Sequence, residues 1–464
     1  EVFREDGRGL DKIIQHAALR AETTKNGIAW WRFGPKKTAF LVTQPDHIKT
    51  IVKDHMNDLY LHDSTGAFKL FFGENSIFNS PYQSENWTHL RARFLHALFR
   101  ENTLKNDMLP MHGIIDQYIE QISTAPECTI TDLEEFANAF TMDMIGKLKL
   151  GLDKIDSETK KKISHIISEV TVEVSNPWQQ MASDYIPLYR YLSKSKLDTL
   201  LKMGYQILIN ELIKPNEEHI RSTKNWLNPE GTAANLNLYT QETIHQITQF
   251  LVAGHETTAK LVLLSLMLLG DGNHKSVLKK LRSEVAEFKL PPQQWSRSDF
   301  IKLPYLDAVI KETLRLYPPI PDILYKVKNN FEALDGKFNS NDMIIISSRV
   351  TQRSKKAWGE DAELFRPERF FEKPNSKFDF FPFGFAPREC VGQLFSIQEA
   401  KLILARIISQ FDLHCDLHHP FPFHQIFTLR MELQNIKMQF IKRPGARNEM
   451  DSGLTLITPH LNSV

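Results

Sequence analysis

The stretch Phe381-Pro-Phe-Gly-Phe-Ala-Pro-Arg388-Glu-Cys390-Val-Gly392 constrains this chain more than any other. It packs aromatic, Gly and Pro residues into a loop that closes on a cysteine. An apolar-periodic helix follows at once, marked by Leu394, Ile397, Ala400, Leu402, Ile403, Ala405 and Ile407. Cys390 is thereby expected at a helix N-terminus, where unpaired backbone N–H groups and the positive end of the helix dipole favour an anion. Arg388 stands two residues away. Both features stabilise a thiolate, the form of cysteine that binds a metal. A lone cysteine is ordinarily a small buried apolar residue; the loop chemistry and two further elements favour the metal ligand here.

The second element is residues 250–269, an apolar helix with a polar knot, Gly254-His255-Glu256-Thr257-Thr258, in its middle. Beyond residue 260 it is apolar on nearly every side, so it is expected to run through the core. A carboxylate and hydroxyls in such a helix are costly unless satisfied or used. Gly254 would let a planar group approach the backbone closely, and Thr257 can bond back to a carbonyl and bend the helix. A hinge or a satisfied polar core competes with a proton relay beside a ligand. The third element is Glu312-x-x-Arg315, whose side chains share a helix face. Alone it reads as a solvated pair, but Arg369 in Arg366-Pro-Glu-Arg369-Phe370 would complete a buried network if it folds back.

Around these elements residues 10–24, 45–52, 87–99 and most of 104–289 read as helix. Residues 28–33, 38–43, 324–327 and 343–347 read as strands, and 428–442 as a terminal hairpin. Residues 62–86 mix Gly66, Gly73 and Pro81 with Phe68, Phe71, Phe72 and Phe78, a loop too apolar to be simply solvated. At roughly 150 residues per domain, 464 residues would make about three. No linker, repeat or low-complexity tract divides them, so residues 1–443 are expected to form one mainly α domain with a smaller β portion, and 444–464 an irregular tail. A net charge of +1 excludes a nucleic-acid binder built on a basic surface. Cys128, Cys390 and Cys415 are too few and scattered for a disulfide framework or a zinc ribbon, which fits a reducing compartment. The charged opening is not a signal peptide, and no run is expected to reach the apolar length of a membrane span. The chain starts at Glu1 without Met, so a removed N-terminal anchor is compatible, with a location in the cytoplasm or on the cytoplasmic face of a membrane.

The three elements, in this order, resemble the cytochrome P-450 haem-thiolate monooxygenases. The family's cysteine loop, Phe-x-x-Gly-x-Arg-x-Cys-x-Gly, finds Phe383, Arg388, Cys390 and Gly392, with Ala386 at its first Gly. The central-helix pattern is met by residues 253–258, the Glu-x-x-Arg network by Glu312, Arg315 and Arg369, and a propionate-binding Trp-x-x-x-Arg by Trp87 and Arg91.

The resemblance implies the triangular helical fold of that family and haem b held by Cys390 as iron ligand. Phe383 would shield the sulfur, and Trp87, Arg91 and Arg388 would hold the propionates. Ala253 and Gly254 would lie against the distal face, with Gly254 leaving room for oxygen, and Thr257 and Glu256 would relay protons. The pocket would take Phe71, Phe72, Phe78, Ile320, Ile323 and Phe427, for an apolar or amphipathic substrate such as a fatty acid, other lipid or terpenoid. Residues 246–258, 358–370 and 78–87 look most like the fatty-acid-hydroxylating branch. Lys36 or Lys37 would anchor a carboxylate unless they are solvated surface charges. Electrons would come from a separate flavin reductase or ferredoxin, docking on basic residues of 87–100 and Lys401, and the protein would act as a monomer. A peroxide-using peroxygenase or isomerase of the same fold, or a haem sensor without turnover, stand as alternatives; the intact Glu256–Thr257 pair speaks against both.

Overall fold

The computed structural model describes residues 8–24, 27–32, 37–61, 71–130, 132–175, 187–223, 237–288, 291–372, 376–415, 417, 423–425, 429–431 and 437–443. In chain order, α1 (Arg8–Thr23) leads into β1 (Ile28–Arg32), β2 (Thr38–Val42), α2 (Pro45–Asp54) and β3 (Leu59–Leu61). A helical stretch follows: α3 (Glu85–Leu98), α4 (Met108–Thr124), then after β4 (Thr129–Ile130) α5 (Leu133–Ile145), α6 (Ser157–Ser175), α7 (Pro187–Ile207), α8 (Gln241–Gly270), α9 (Lys275–Glu287) and α10 (Pro304–Leu316). Strands β5 (Asp322–Val327), β6 (Phe331–Ala333), β7 (Gly336–Phe338) and β8 (Met343–Ser347) precede α11 (Gln393–Gln410). The chain closes with β9 (Phe411–Cys415), β10 (Phe423–Gln425), β11 (Leu429–Met431) and β12 (Met438–Lys442).

The 30-residue α8 is the axis of the larger core. Thr240 caps it, accepting the Thr243 N–H on its side chain. Helices α5, α10 and α11 pack along it. Among the described residues α8 alone is long and apolar enough to cross a membrane, which corrects the reading that no run reaches that length; 78 % of its apolar window is buried inside the protein, as in a core helix. A second core forms on the sheet ordered β1-β2-β8-β5-β3. There β2 runs parallel to β8 (Leu41 opposite Ile345) and β5 antiparallel to it (Leu324 opposite Ile345).

The terminal hairpin does not form as read. Instead β11 pairs back onto β10, and β12 pairs with β9 and β4, so the segment is divided between two sheets. Alternation shows that a segment has two faces, not which strand it will choose. Residues 444–464 lie outside the described residues.

Candidate active site

The cysteine loop sits between the two cores. Phe381 and Phe385 turn into the sheet-side core with ring centroids 4.5 Å apart, while Phe383 packs on the helical core. Gly384 takes φ +77°, the left-handed conformation that glycine adopts freely. Ala386, where the family pattern has Gly, is not among the residues of positive φ, so a side chain there meets no such demand. The Phe383 carbonyl accepts the Cys390 N–H at 2.9 Å, closing the loop. Gly392 caps α11 without a side chain. The N–H groups of Gly392 and Gln393 are thus left to the Cys390 sulfur. The Cys390 side chain is exposed, although protein crowds around it. Burial pushes the thiol up from its ordinary value, against those two N–H groups and Arg91. Without a bound cation the sulfur keeps its proton; a bound metal ion reverses that balance.

Behind the loop lies the Glu312 network. Glu312 and Arg315 are fully buried, with Arg315 Nε and Nη2 donating to the two carboxylate oxygens at 2.6 and 2.9 Å. Arg369 Nε and the Arg366 backbone N–H also donate to Glu312, at 2.9 and 2.8 Å. Arg315 reaches the Gln352 carbonyl at 2.8 Å and lies over the Trp358 ring. The buried Gln352 side chain connects this network to the loop: Nε2 donates to the Leu314 and Arg315 carbonyls, and Oε1 accepts the Phe381 N–H. Sequence reasoning missed Gln352, a lone polar residue in no periodic pattern.

Above the cleft edge, Ser84 caps α3 by accepting the Trp87 N–H at 3.2 Å. The guanidinium carbons of Arg91 and Arg388 lie 5.6 and 5.3 Å from the Trp87 ring centroid. Arg388 also donates to the Ser80 carbonyl at 2.6 Å. Burial pushes Arg388 down to about 10, and the Arg91 charge adds to the effect. Burial likewise lowers Arg91. Neither guanidinium has a carboxylate ion pair among the described residues. Two part-buried cations over one indole, with no ion-paired carboxylate and only the Glu389 charge acting on Arg91, suit the binding of an anionic group.

On α8 the polar knot resolves into different faces. Thr257 Oγ1 donates to the Ala253 carbonyl at 2.6 Å, the expected back-bond, and the helix continues unbroken through it. Thr258 Oγ1 donates to Ser396 Oγ at 3.0 Å, tying α8 to α11. His255 is buried against Ser164 (3.2 Å) and held at about 4, chiefly by burial. Gly254 serves differently from the expected role: a Cβ there would fall 2.8 Å from Ile145 Cγ1, so its missing side chain admits α5, and the space is not left for oxygen. Glu256 lines a polar cleft with Tyr118, Asp143, His165 and Lys260.

The aromatic wall also assembles. The Phe72 ring lies tilted against Phe71 and Phe78, with centroids 4.6 and 4.8 Å away. An apolar cavity continues from Phe71 between α6, α7 and α8, lined by Ile163, Val170, Leu201, Leu208 and Leu251. Ile323 reaches the cysteine loop from β5, its Cδ1 lying 3.9 Å from where a Gly384 side chain would begin. Ile320 is half-buried. Phe68, Phe427 and Lys36 lie outside the described residues, and Lys37 is half-buried. Lys401 is no docking residue: it is buried, donates to Asp307 at 2.7 Å and lies over Phe300. Arg91 and Arg93 are likewise partly buried, which leaves Arg100 as the exposed cation of that helical stretch.

A cysteine sulfur at a helix N-terminus, with two arginines beside it that have no ion pair among the described residues, is a donor set that suits an anionic metal cofactor. The cytochrome P450 family model matches residues 9–439. Among curated proteins, cytochrome P450 3A15 of Cavia porcellus is 27 % identical, over 84 % of this chain and 80 % of its own length. The probable cytochrome P450 525A1 of Dictyostelium discoideum is 31 % identical, over 65 % of this chain and 54 % of its own. Cytochrome P450 CYP72A219 of Panax ginseng is 24 % identical, over 88 % of this chain and 80 % of its own. The chain belongs to the cytochrome P450 family. It is accordingly a haem-binding monooxygenase that uses O2 and draws electrons from an external donor.

Proposed function

We propose that this enzyme inserts one oxygen atom into an apolar or amphipathic organic substrate, with a fatty acid, other lipid or terpenoid as the favoured class. The observation that carries the reading is the Phe71–Phe72–Phe78 wall, joined to α8 where the Ile77 N–H meets Gln249 Oε1 and where Phe71 shares an apolar cavity with Leu251 and Val252. Such lining selects by apolar fit. The haem, when bound, supplies the oxygen-activating chemistry, with a thiolate ligand favouring O–O cleavage. Cys390 is the iron ligand in this reading, Phe383 its shield, and Trp87, Arg91 and Arg388 the propionate holders.

Thr257 holds a proton at Oγ1 and commits it to the Ala253 carbonyl, so the hydroxyl must turn to donate into the site. In this reading Glu256, which lines the polar cleft one residue earlier, resupplies the proton from solvent. The likeness of residues 246–258 to the fatty-acid-hydroxylating branch supports the lipid class. A monomer served by a separate flavin reductase or ferredoxin, in the cytoplasm or on the cytoplasmic face of a membrane, completes the reading.

The test is reconstitution with a flavin reductase, or a ferredoxin and its reductase, under isotopically labelled O2 against a lipid and terpenoid panel. One labelled oxygen per product, absent without reductase, is expected. Product formed only from peroxide, or none despite haem binding, overturns the reading. Thr257→Ala is expected to keep electron uptake while losing product.

A further inference from the structure

We infer that Gln249 and Gln246 of α8, beside the loop carrying Phe78, build a neutral polar subsite that takes a hydroxyl or carbonyl oxygen of the substrate. Gln249 is 2 % exposed and Gln246 4 %. Gln249 Oε1 accepts the Ile77 N–H at 3.3 Å, which fixes the amide beside the loop carrying Phe78. Its Nε2 then has no acceptor, and Gln246 Oε1 has no donor. Neighbouring His245, ring-packed on Tyr205, also leaves Nε2 unpartnered. Buried amide groups left without partners are costly, because their desolvation is not repaid. Apolar side chains would pack an apolar pocket more cheaply, so a donor and an acceptor retained side by side point to a ligand that supplies the complement. A hydroxyl both donates and accepts, and a carbonyl satisfies the Nε2 donor.

The helix sets the distance. Gln249, Ala253 and Thr257 follow one another at intervals of four and share a face of α8. Eight residues at 1.5 Å place the subsite about 12 Å from Thr257 along the axis. The oxygen function of the substrate thus lies well away from the carbon that is oxidised. Arg93, whose buried Nε lacks a partner, feels the Glu242 carboxylate, so the subsite is electrically balanced and favours a neutral oxygen over a carboxylate.

The assignment rests on the monooxygenase reading above and is tested apart from turnover. Haem-loaded protein is titrated calorimetrically with decan-1-ol, with 1-chlorodecane, which lacks the oxygen, and with decanoate. Decan-1-ol is expected to bind about tenfold more tightly than 1-chlorodecane. In Gln249→Met and in Gln246→Leu that ratio is expected to fall toward one, with 1-chlorodecane affinity unchanged, which shows that the pocket is still folded. A ratio near one in the wild type, a ratio unchanged in both variants, no binding of decan-1-ol, or decanoate as the tightest ligand overturns the subsite. Loss of the thiolate-type Soret band of the reduced CO complex would instead overturn the haem-thiolate assignment, whatever the titrations give.

Discussion

Gln352 Oε1 accepts the Phe381 backbone N–H at 2.8 Å, and through it the cysteine loop hangs from the carbonyls of Leu314 and Arg315 at the end of α10. The Glu312–Arg315–Arg369 cluster therefore reaches the proposed iron ligand through one buried amide. Gln352→Leu leaves one donor and two acceptors unsatisfied, a loss of about 2–4 kcal/mol. Gln352→Glu keeps the acceptor for Phe381 but sets a carboxylate against two carbonyls and is expected to be no better. Both variants should show lower haem content and a reduced CO complex shifted from the thiolate band; full haem content with a normal band in either would mean the loop is held elsewhere.

Arg388 presents a trade of stability for cofactor affinity. Its folded value of about 10 lies below the ordinary arginine value, so the cation is a cost to the folded chain below pH 10, relieved as pH rises toward 12.5. A bound carboxylate removes that cost. Arg388→Gln is expected to leave the haem-free chain as stable or more stable in thermal melts, while haem loss to an acceptor protein accelerates by about tenfold. An unaltered loss rate would exclude Arg388 from propionate binding.

Ile145 and Gly254 form a knob and a gap between α5 and α8. Gly254→Ala forces Ile145 to move and is expected to cost about 1–3 kcal/mol. Ile145→Ala opens a cavity on its own, yet should recover part of the loss when combined with Gly254→Ala. A chemical-denaturation double-mutant cycle measures the coupling; additive effects would show that the two residues do not meet.

Local geometry was legible where a local pattern dictates it: the helix that opens just after Cys390, the Glu312–Arg315 pair at three-residue spacing and the Thr257 back-bond inside an apolar helix each depend on near neighbours in the chain. Partnership across the chain was not legible. Lys401 looks like a surface cation until Asp307 and Phe300 close over it. Gly254 looks like space for a ligand until Ile145 fills it. Gln352 gives no signal at all, because its three partners come from residues 314, 315 and 381. The alternation of β11 and β12 was visible, but their choice of separate sheets depended on strands elsewhere.

Glu399 of α11 is fully buried, and neither of its carboxyl oxygens has a hydrogen-bond partner. Nearby, buried Lys149 pairs with Asp107 and lies 4.5 Å from the Phe395 ring centroid. Burial pushes Glu399 well above the usual carboxylate range; the Lys149 charge offsets this in part, and Asp107 adds to it. With the folded pKa above the unfolded one, the unfolded chain releases this proton first. The cost to folding is therefore absent below the unfolded value of about 4.3 and grows with pH up to the folded pKa. Glu399→Gln removes the ionisable group while keeping its shape. It is expected to stabilise the protein at pH 8, with the gain shrinking to near zero at pH 4, in denaturant titrations of the haem-loaded protein across that range. A variant less stable than the wild type at pH 8, or a difference that does not change with pH, would mean that Glu399 is ionised and paired in the fold.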